Sequence, residues 1–206
     1  MLLWAGVICL LVGIACFAID RRAVHVFHDR IPGYWFRRIR LTTDYAKGAR
    51  WLMASILVLA AAVLAQAVWG ERALLHAISR GALAFLACLA ASSAVLHIIK
   101  LVVGRRRPRD ELEHELYGFR LFHYNPQYDS FPSGHAMTIC CVAVILSGAV
   151  PQLAPLWLAV ALYLALTRAA LNSHFLSDVF IGAAIGLIAA RETVLLLFHD
   201  LARPWF

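Results

Sequence analysis

Lys100 and Arg107 stand seven residues apart, so a helix running through both would project them from one face, about 10 Å apart along its axis. The stretch SFPSGHAM, residues 130–137, then opens an apolar segment. Pro132 suits the start of a helix, Ser133 suits its cap, and Gly134 lets an anion approach the backbone N–H groups and the positive end of the dipole. His135 falls in the first turn. In TRAALNSHFLSD, residues 167–178, Arg168 precedes His174 by six residues and Asp178 follows it by four. Four residues is one helical turn, which places the Asp178 carboxylate to accept a proton from one imidazole nitrogen and leave the other a free nucleophile.

Taken singly, these residues have ordinary roles: snorkelling cations, interfacial histidines, a helix start. Taken together they describe a site for a tetrahedral oxyanion such as phosphate. Arginine offers a planar fork matched to two oxygens, and lysine adds a point charge. Two histidines allow one to attack phosphorus while the other gives a proton to the leaving oxygen. No carboxylate or cysteine cluster has the spacing of a metal site, so the cations must stabilise the transferring group, and no cofactor is expected. The predicted reaction is metal-independent phosphoryl transfer to histidine followed by hydrolysis.

The scaffold for these residues belongs in a membrane, because 62% of the chain is hydrophobic and only 15% charged. The uncharged runs Leu2–Ile19, Trp51–Gly70 and Gly81–Ile99 each approach the roughly 20 residues that span a bilayer as a helix. Ala136 to Thr167 is too long for one crossing and too short for two complete ones; Pro151 and Pro155, with Gly148 nearby, break it into two helices. A further run, Val179 to Phe198, carries Arg191 and Glu192 near its far end, where they are expected to form a local ion pair. The expected fold is therefore all-α: a polytopic membrane bundle of six transmembrane helices in one domain over residues 1–206. The first run has no basic residue before it and no small-x-small site after it, so it is expected to stay as a helix in the mature chain. Val24 to Arg40 mixes aromatics with arginines and reads as an interfacial amphipathic segment. Cys9, Cys16, Cys88, Cys140 and Cys141 lie in apolar runs without ligand spacing and are expected to be packing residues.

Six helices in series place Asp20–Arg50, Lys100–Ser130 and Thr167–Asp178 on one side of the membrane, with nearly all the polar chemistry. Most of the cations behind the net charge of +7 lie there too. The positive-inside rule would make that side cytoplasmic; cations that bind an anion should be left out of such a count. Arg105, Arg106 and Arg109 exceed what the anion site needs. They are expected either to draw an anionic headgroup to the surface or to pair with Asp110, Glu111, Glu113 and Glu115.

The three stretches resemble the signature of the type 2 phosphatidic acid phosphatase superfamily, the lipid phosphate phosphatases: Lys100 to Arg107-Pro108, Pro132-Ser133-Gly134-His135, and Thr167-Arg168 to His174 to Asp178, with threonine where that family usually has serine. The resemblance covers the chain from the third helix onward, with core motifs in residues 100–178. It implies that His174 is the nucleophile that becomes phosphohistidine, Asp178 its orienting partner and His135 the general acid. Lys100, Arg107, Ser133, Gly134 and Arg168 would then bind the phosphate. It also implies a bacterial inner-membrane protein with its site on the periplasmic or extracellular face. Expected substrates are membrane lipid phosphates such as phosphatidic acid, phosphatidylglycerophosphate, undecaprenyl diphosphate or lipid A 1-phosphate; the bilayer is a partner and nucleic acid is not. Residues 111–129 and the amphipathic segment are where selectivity should lie. The alternatives are a phosphotransferase of the same superfamily and a non-catalytic lipid-phosphate binder or transporter.

Overall fold

In a bilayer every backbone N–H and C=O must be satisfied within the protein, so apolar runs fold as helices wherever they are long enough to close their own ladders. The computed structural model describes residues 1–122 and 125–206. His123 and Tyr124, part of the loop expected to carry selectivity, lie outside the described residues. The order is α1 (Leu2–Cys16), α2 (Asp20–Arg30), α3 (Gly33–Thr43), α4 (Gly48–Trp69), α5 (Ala73–Val102), β1 (Val103–Arg105), α6 (Pro108–His114), β2 (Phe119–Leu121), α7 (Gly134–Ala149), α8 (Ala154–Ala170) and α9 (Leu176–Leu197).

The expected helical membrane bundle is present, with apolar helices at all six predicted runs. Among the described residues α4, α5, Pro151–Ala170 and α9 are long and apolar enough to cross a membrane. Helix α1 has 15 residues and α7 has 16, short of the roughly 20 of a full crossing. Length and composition therefore give four spans, or five if α1 and α2 count as one bent pair, where the sequence runs predicted six. The break between α7 and α8 falls at Pro151, as expected. Helix α2 turns 87° from α1, so the basic-aromatic segment departs from the bundle axis as a separate pair of helices, α2 and α3.

Helices α7 and α9 form the centre of the bundle, and α1, α5 and α8 pack around them. Helix α4 stands at the edge, with Ala62 its only buried residue. Leu57, Leu64 and Val68 of α4 and Trp4, Ile8 and Leu11 of α1 are exposed, the apolar exterior that lipid tails would cover. Cys16, Cys88, Cys140 and Cys141 are buried as free thiols, and Cys9 is half-buried.

One departure concerns the end of α5. The helix does not run on through Arg107 to be stopped by Pro108. It ends at Val102, and Val103–Arg105 pair antiparallel with Phe119–Leu121, Gly104 facing Arg120. Pro108 then starts α6 at its first position, where a missing N–H costs nothing. Lys100 and Arg107 are thus not two turns of one helix.

Small residues set the central contact. A Cβ on Gly182 would stand 2.3 Å from the Ser133 carbonyl oxygen, and one on Gly186 would stand 2.3 Å from that of Met137. Both neighbours are backbone and cannot rotate away, so glycine at these two α9 positions is what lets α7 approach. Gly182→Ala should lower stability by about 1–3 kcal/mol, the range for overpacking, and shift the Ser133 end of α7. Thermal unfolding in detergent should show a reduced Tm for Gly182→Ala and none for Gly81→Ala, where a Cβ meets open space.

Candidate active site

The turn that carries His174 is a helix ending. The Asn172 N–H donates to the Ala169 carbonyl at 2.9 Å and the Ser173 N–H to the Arg168 carbonyl at 3.0 Å, closing α8 in the Schellman pattern. Asn172 takes the left-handed conformation at φ 49°, which asparagine tolerates better than most residues. The chain then reverses into α9, whose N-cap is Phe175. The Asp178 Oδ2 accepts the Phe175 N–H at 2.9 Å, satisfying one of the donors a helix start leaves free.

His174 is almost fully buried. Its Nδ1 lies 2.7 Å from the Ser130 carbonyl oxygen and 3.8 Å from Asp178 Oδ2. A carbonyl only accepts, so Nδ1 carries the proton and Nε2 keeps its lone pair. Asp178 was expected to take that proton itself. Instead its Oδ2 accepts the Ser130 hydroxyl at 2.6 Å as well as the Phe175 N–H, and so holds the two residues that frame the imidazole. Burial lowers the His174 pKa below the ordinary histidine value; Asp178 opposes that shift, and the charges of Arg168 and Arg107 add to it.

The other sequence-predicted residues converge on the same end of the bundle. His135 lies in the first turn of α7, within electrostatic reach of Arg168 and His174. The Ser133 N–H donates to the Asp178 carbonyl oxygen at 3.0 Å, which ties the start of α7 to that of α9. Ser133 sits at the cap position, but its hydroxyl makes no cap bond and is buried without a partner among the described residues. Among the described residues, a Cβ on Gly134 would meet nothing within 4 Å, which leaves space beside the helix N-terminus. Arg168 reaches Thr43 Oγ1 at 3.4 Å through one nitrogen, while its buried Nε has no partner among the described residues. Lys100 donates to the Asp129 carbonyl at 3.0 Å and pairs with the Asp129 carboxylate, whose other oxygen receives Arg107 at 3.4 Å. Asp129 thus joins the two cations that helical spacing was meant to join. Arg191 pairs with Glu192 as expected, away from this site.

Arg105 overturns an expectation. It was assigned to the surface as an excess cation, yet its side chain has 0% exposure. Its guanidinium donates to Asp178 Oδ1 at 2.5 Å, Asp20 Oδ2 at 2.7 Å, Ser177 Oγ at 2.7 Å and Tyr117 Oη at 2.8 Å. The rings of Phe17, Phe119 and Phe175 lie within 5.2 Å of its Cζ. The register of β1 with β2 and α9 directs that side chain inward, and nothing in the spacing of a basic cluster signals it. Arg106 does behave as expected and pairs with Asp110 at 3.4 Å, while Glu111 takes Arg21 at 2.7 Å. Asp20, Asp129, Ser130 and Thr43 were missed altogether; each is an isolated polar residue whose contact lies far away in sequence.

Comparison with known proteins places this arrangement. Lipid A 1-phosphatases of Rhizobium etli and Rhizobium johnstonii are each 30% identical to it over 95 residues. That stretch is 46% of this chain but only 41% and 39% of those proteins, so the chain aligns with less than half of either relative. A crystal structure of a transmembrane PAP2-type phosphatidylglycerolphosphate phosphatase from Bacillus subtilis superposes with a TM-score of 0.64 at 17% identity, covering 98% of this chain and 100% of that one, a likeness of fold. The sequence profile of the PAP2 superfamily matches residues 81–201, more than half of the chain and every motif position named above, and the chain belongs to that superfamily.

Proposed function

We propose that the chain is a lipid phosphatase that hydrolyses a lipid phosphate or diphosphate at the membrane surface, without a metal, through a phosphohistidine on His174. One observation carries most of this reading: Lys100, Arg107, Arg168 and the N-terminus of α7 gather beside two histidines, and the Ser133 hydroxyl and Arg168 Nε are left buried without partners among the described residues. Buried polar atoms that nothing satisfies are costly unless a ligand completes them. A phosphate supplies oxygens to all of these donors.

In the mechanism, the His174 Nε2 lone pair attacks phosphorus while the P–O bond to the leaving lipid oxygen, or to the leaving phosphate of a diphosphate, breaks. His135, which the negative charge of the bound phosphate would hold protonated against its burial and the charge of Arg168, gives that oxygen its proton. Water then attacks the phosphohistidine, His135 takes the proton, the P–N bond breaks and inorganic phosphate departs. Arg107, Arg168 and Lys100 meet the charge that grows on the equatorial oxygens. The lowered pKa of His174 keeps it unprotonated, and so nucleophilic, at neutral pH.

The chain acts as one membrane-embedded unit in the bacterial inner membrane, with the site facing the periplasm. About half of the cations that would argue for the cytoplasmic side have partners at or near the site: Arg105 is buried, Lys100 and Arg107 share Asp129, Lys47 and Arg50 share Asp44, and Arg21 and Arg106 have acidic partners. Among possible substrates lipid A 1-phosphate ranks first, because both curated relatives are named as its phosphatases.

Phosphate release by the detergent-solubilised protein, measured with chelator against phosphatidic acid, phosphatidylglycerophosphate, undecaprenyl diphosphate and lipid A 1-phosphate, tests the reading. Release should survive chelation and fall at least about 1000-fold in His174→Ala, the scale for loss of a nucleophile. Equal activity in the variant would sink it, whereas transfer to an acceptor lipid in place of free phosphate would mark a phosphotransferase. The acidic limb of kcat/KM should lie below pH about 6.5, since a histidine with a lowered pKa loses activity only when pH falls through that lowered value. Asp129→Asn should tighten inorganic phosphate binding about fivefold, roughly the 1 kcal/mol of an exposed ion pair; calorimetric titration would read it.

A further inference from the structure

We propose that Asp20, which lies outside the region matched to the superfamily, is a positioning residue of the active site: through Arg105 it sets the charge that the buried Asp178 presents to His174. The inference rests on the phosphatase reading above.

Asp20 is the first residue of α2, at the sharp turn from α1, and is 1% exposed. Its Oδ2 receives Arg105 at 2.7 Å and the Ser177 hydroxyl, and its Oδ1 accepts the Ser177 N–H at 3.0 Å. Arg105 spends its other terminal nitrogen on Asp178 at 2.5 Å and on the Ser177 hydroxyl at 2.7 Å. Two carboxylates therefore flank one guanidinium, all three without solvent exposure. Bound to Arg105 alone, Asp178 would form a neutral pair and offer His174 little field. With Asp20 on the far side the trio carries a net charge of −1, and its nearest oxygen lies 3.8 Å from His174 Nδ1. When Nε2 bonds to phosphorus, the imidazole becomes cationic, and that charge is the one the trio is placed to balance. A salt bridge serving stability alone needs one acid for one base. The second carboxylate arrives instead from a helix pair whose remaining surface is largely exposed and basic.

The other charges facing His174 are Arg168 from α8 and Arg107 from the segment between β1 and α6, with His135 on α7 beside it. Asp44 and Lys47 act on His135 from the turn after α3. None of these is bonded to Asp20, so substitution there leaves them in place.

The experiment is the pH profile of kcat/KM for lipid phosphate hydrolysis by the full-length protein in detergent, for wild type, Asp20→Asn, Arg105→Gln and the double variant. Removing the Asp20 charge disfavours the imidazolium, so Asp20→Asn should move the acidic limb to lower pH by about 0.5–1 unit. It should also lower kcat on the order of 10-fold with KM within about twofold. Arg105→Gln should move the limb to higher pH. The double variant restores the net charge of −1 and should return the limb close to wild type. Purely structural roles would reduce the folded fraction while leaving the limb where it was in all three variants, and that result overturns the proposal. Should Arg105→Gln not fold, the direction of the Asp20→Asn shift decides, because no shift or an upward shift also overturns it. A wild type that releases no phosphate, or a His174→Ala variant that still does, would instead bring down the phosphatase reading and this inference with it.

Discussion

The guanidinium of Arg105 has been taken entirely out of water at the end of a membrane bundle, and much of the architecture around the site follows from what that requires. An ion moved into a low-dielectric interior loses several kcal/mol of hydration even after relaxation, and it stays only if paired and hydrogen-bonded. Burial works against the charge here; Asp178 and Asp20 outweigh it and hold the Arg105 pKa above its ordinary value. Each partner comes from a different part of the chain. Asp20 fixes the bend between α1 and α2, Asp178 and Ser177 fix the first turn of α9, and Tyr117 fixes the segment leading into β2. Removing one partner would strand a charge, so these segments are coupled more tightly than their apolar packing alone would couple them.

The coupling reaches the proposed nucleophile through backbone as well as through charge. The Ser130 N–H donates to the Arg105 carbonyl at 3.0 Å, and the Ser130 carbonyl in turn receives His174. Strand β1 therefore sets the position of the acceptor that fixes the imidazole tautomer. On the other flank, Gly182 lets the Ser133 carbonyl seat against α9, and the Ser133 N–H reaches Asp178. The proposed anion-binding end of α7 and the histidine are thus held to one short stretch of α9 by contacts too close to slide.

Local patterns made the six apolar helices and the order of the three motifs legible in sequence, because hydropathy runs and fixed spacings are properties of neighbouring residues. The turn presenting His174 was legible too, as a residue six beyond Arg168 and four before Asp178. Contacts between distant residues were not. Arg105 sits among Arg106, Arg107 and Arg109, and the face a side chain takes in that cluster depends on a two-stranded pairing only three residues long, which hydropathy does not announce. Spacing across Lys100 and Arg107 suggested a shared helix, but the chain leaves the helix at Val102, and the two cations meet through Asp129 instead. The i,i+4 relation of His174 and Asp178 was right about proximity and wrong about the bond, since Asp178 spends its oxygens on Arg105, Ser130 and Phe175.

Burial separates the two acids nearest the proposed chemistry into different tasks. Asp178 is wholly enclosed and meets a hydrogen-bond donor at both oxygens, so losing its charge would leave Arg105 and the start of α9 without their partner. Asp129 is 48% exposed and holds Lys100 and Arg107 at the mouth of the site, where water screens the interaction and exchange is cheap. An arriving phosphate brings more oxygens than the Asp129 carboxylate and can take its place on the two cations, without any charge being left alone in the interior. The strong, buried carboxylate keeps the framework fixed while the weak, exposed one keeps the cations gathered until a ligand competes for them. For the proposed reaction, a site that releases phosphate as readily as it captures lipid is better served by that division than by three free cations, whose mutual repulsion only a bound anion would relieve.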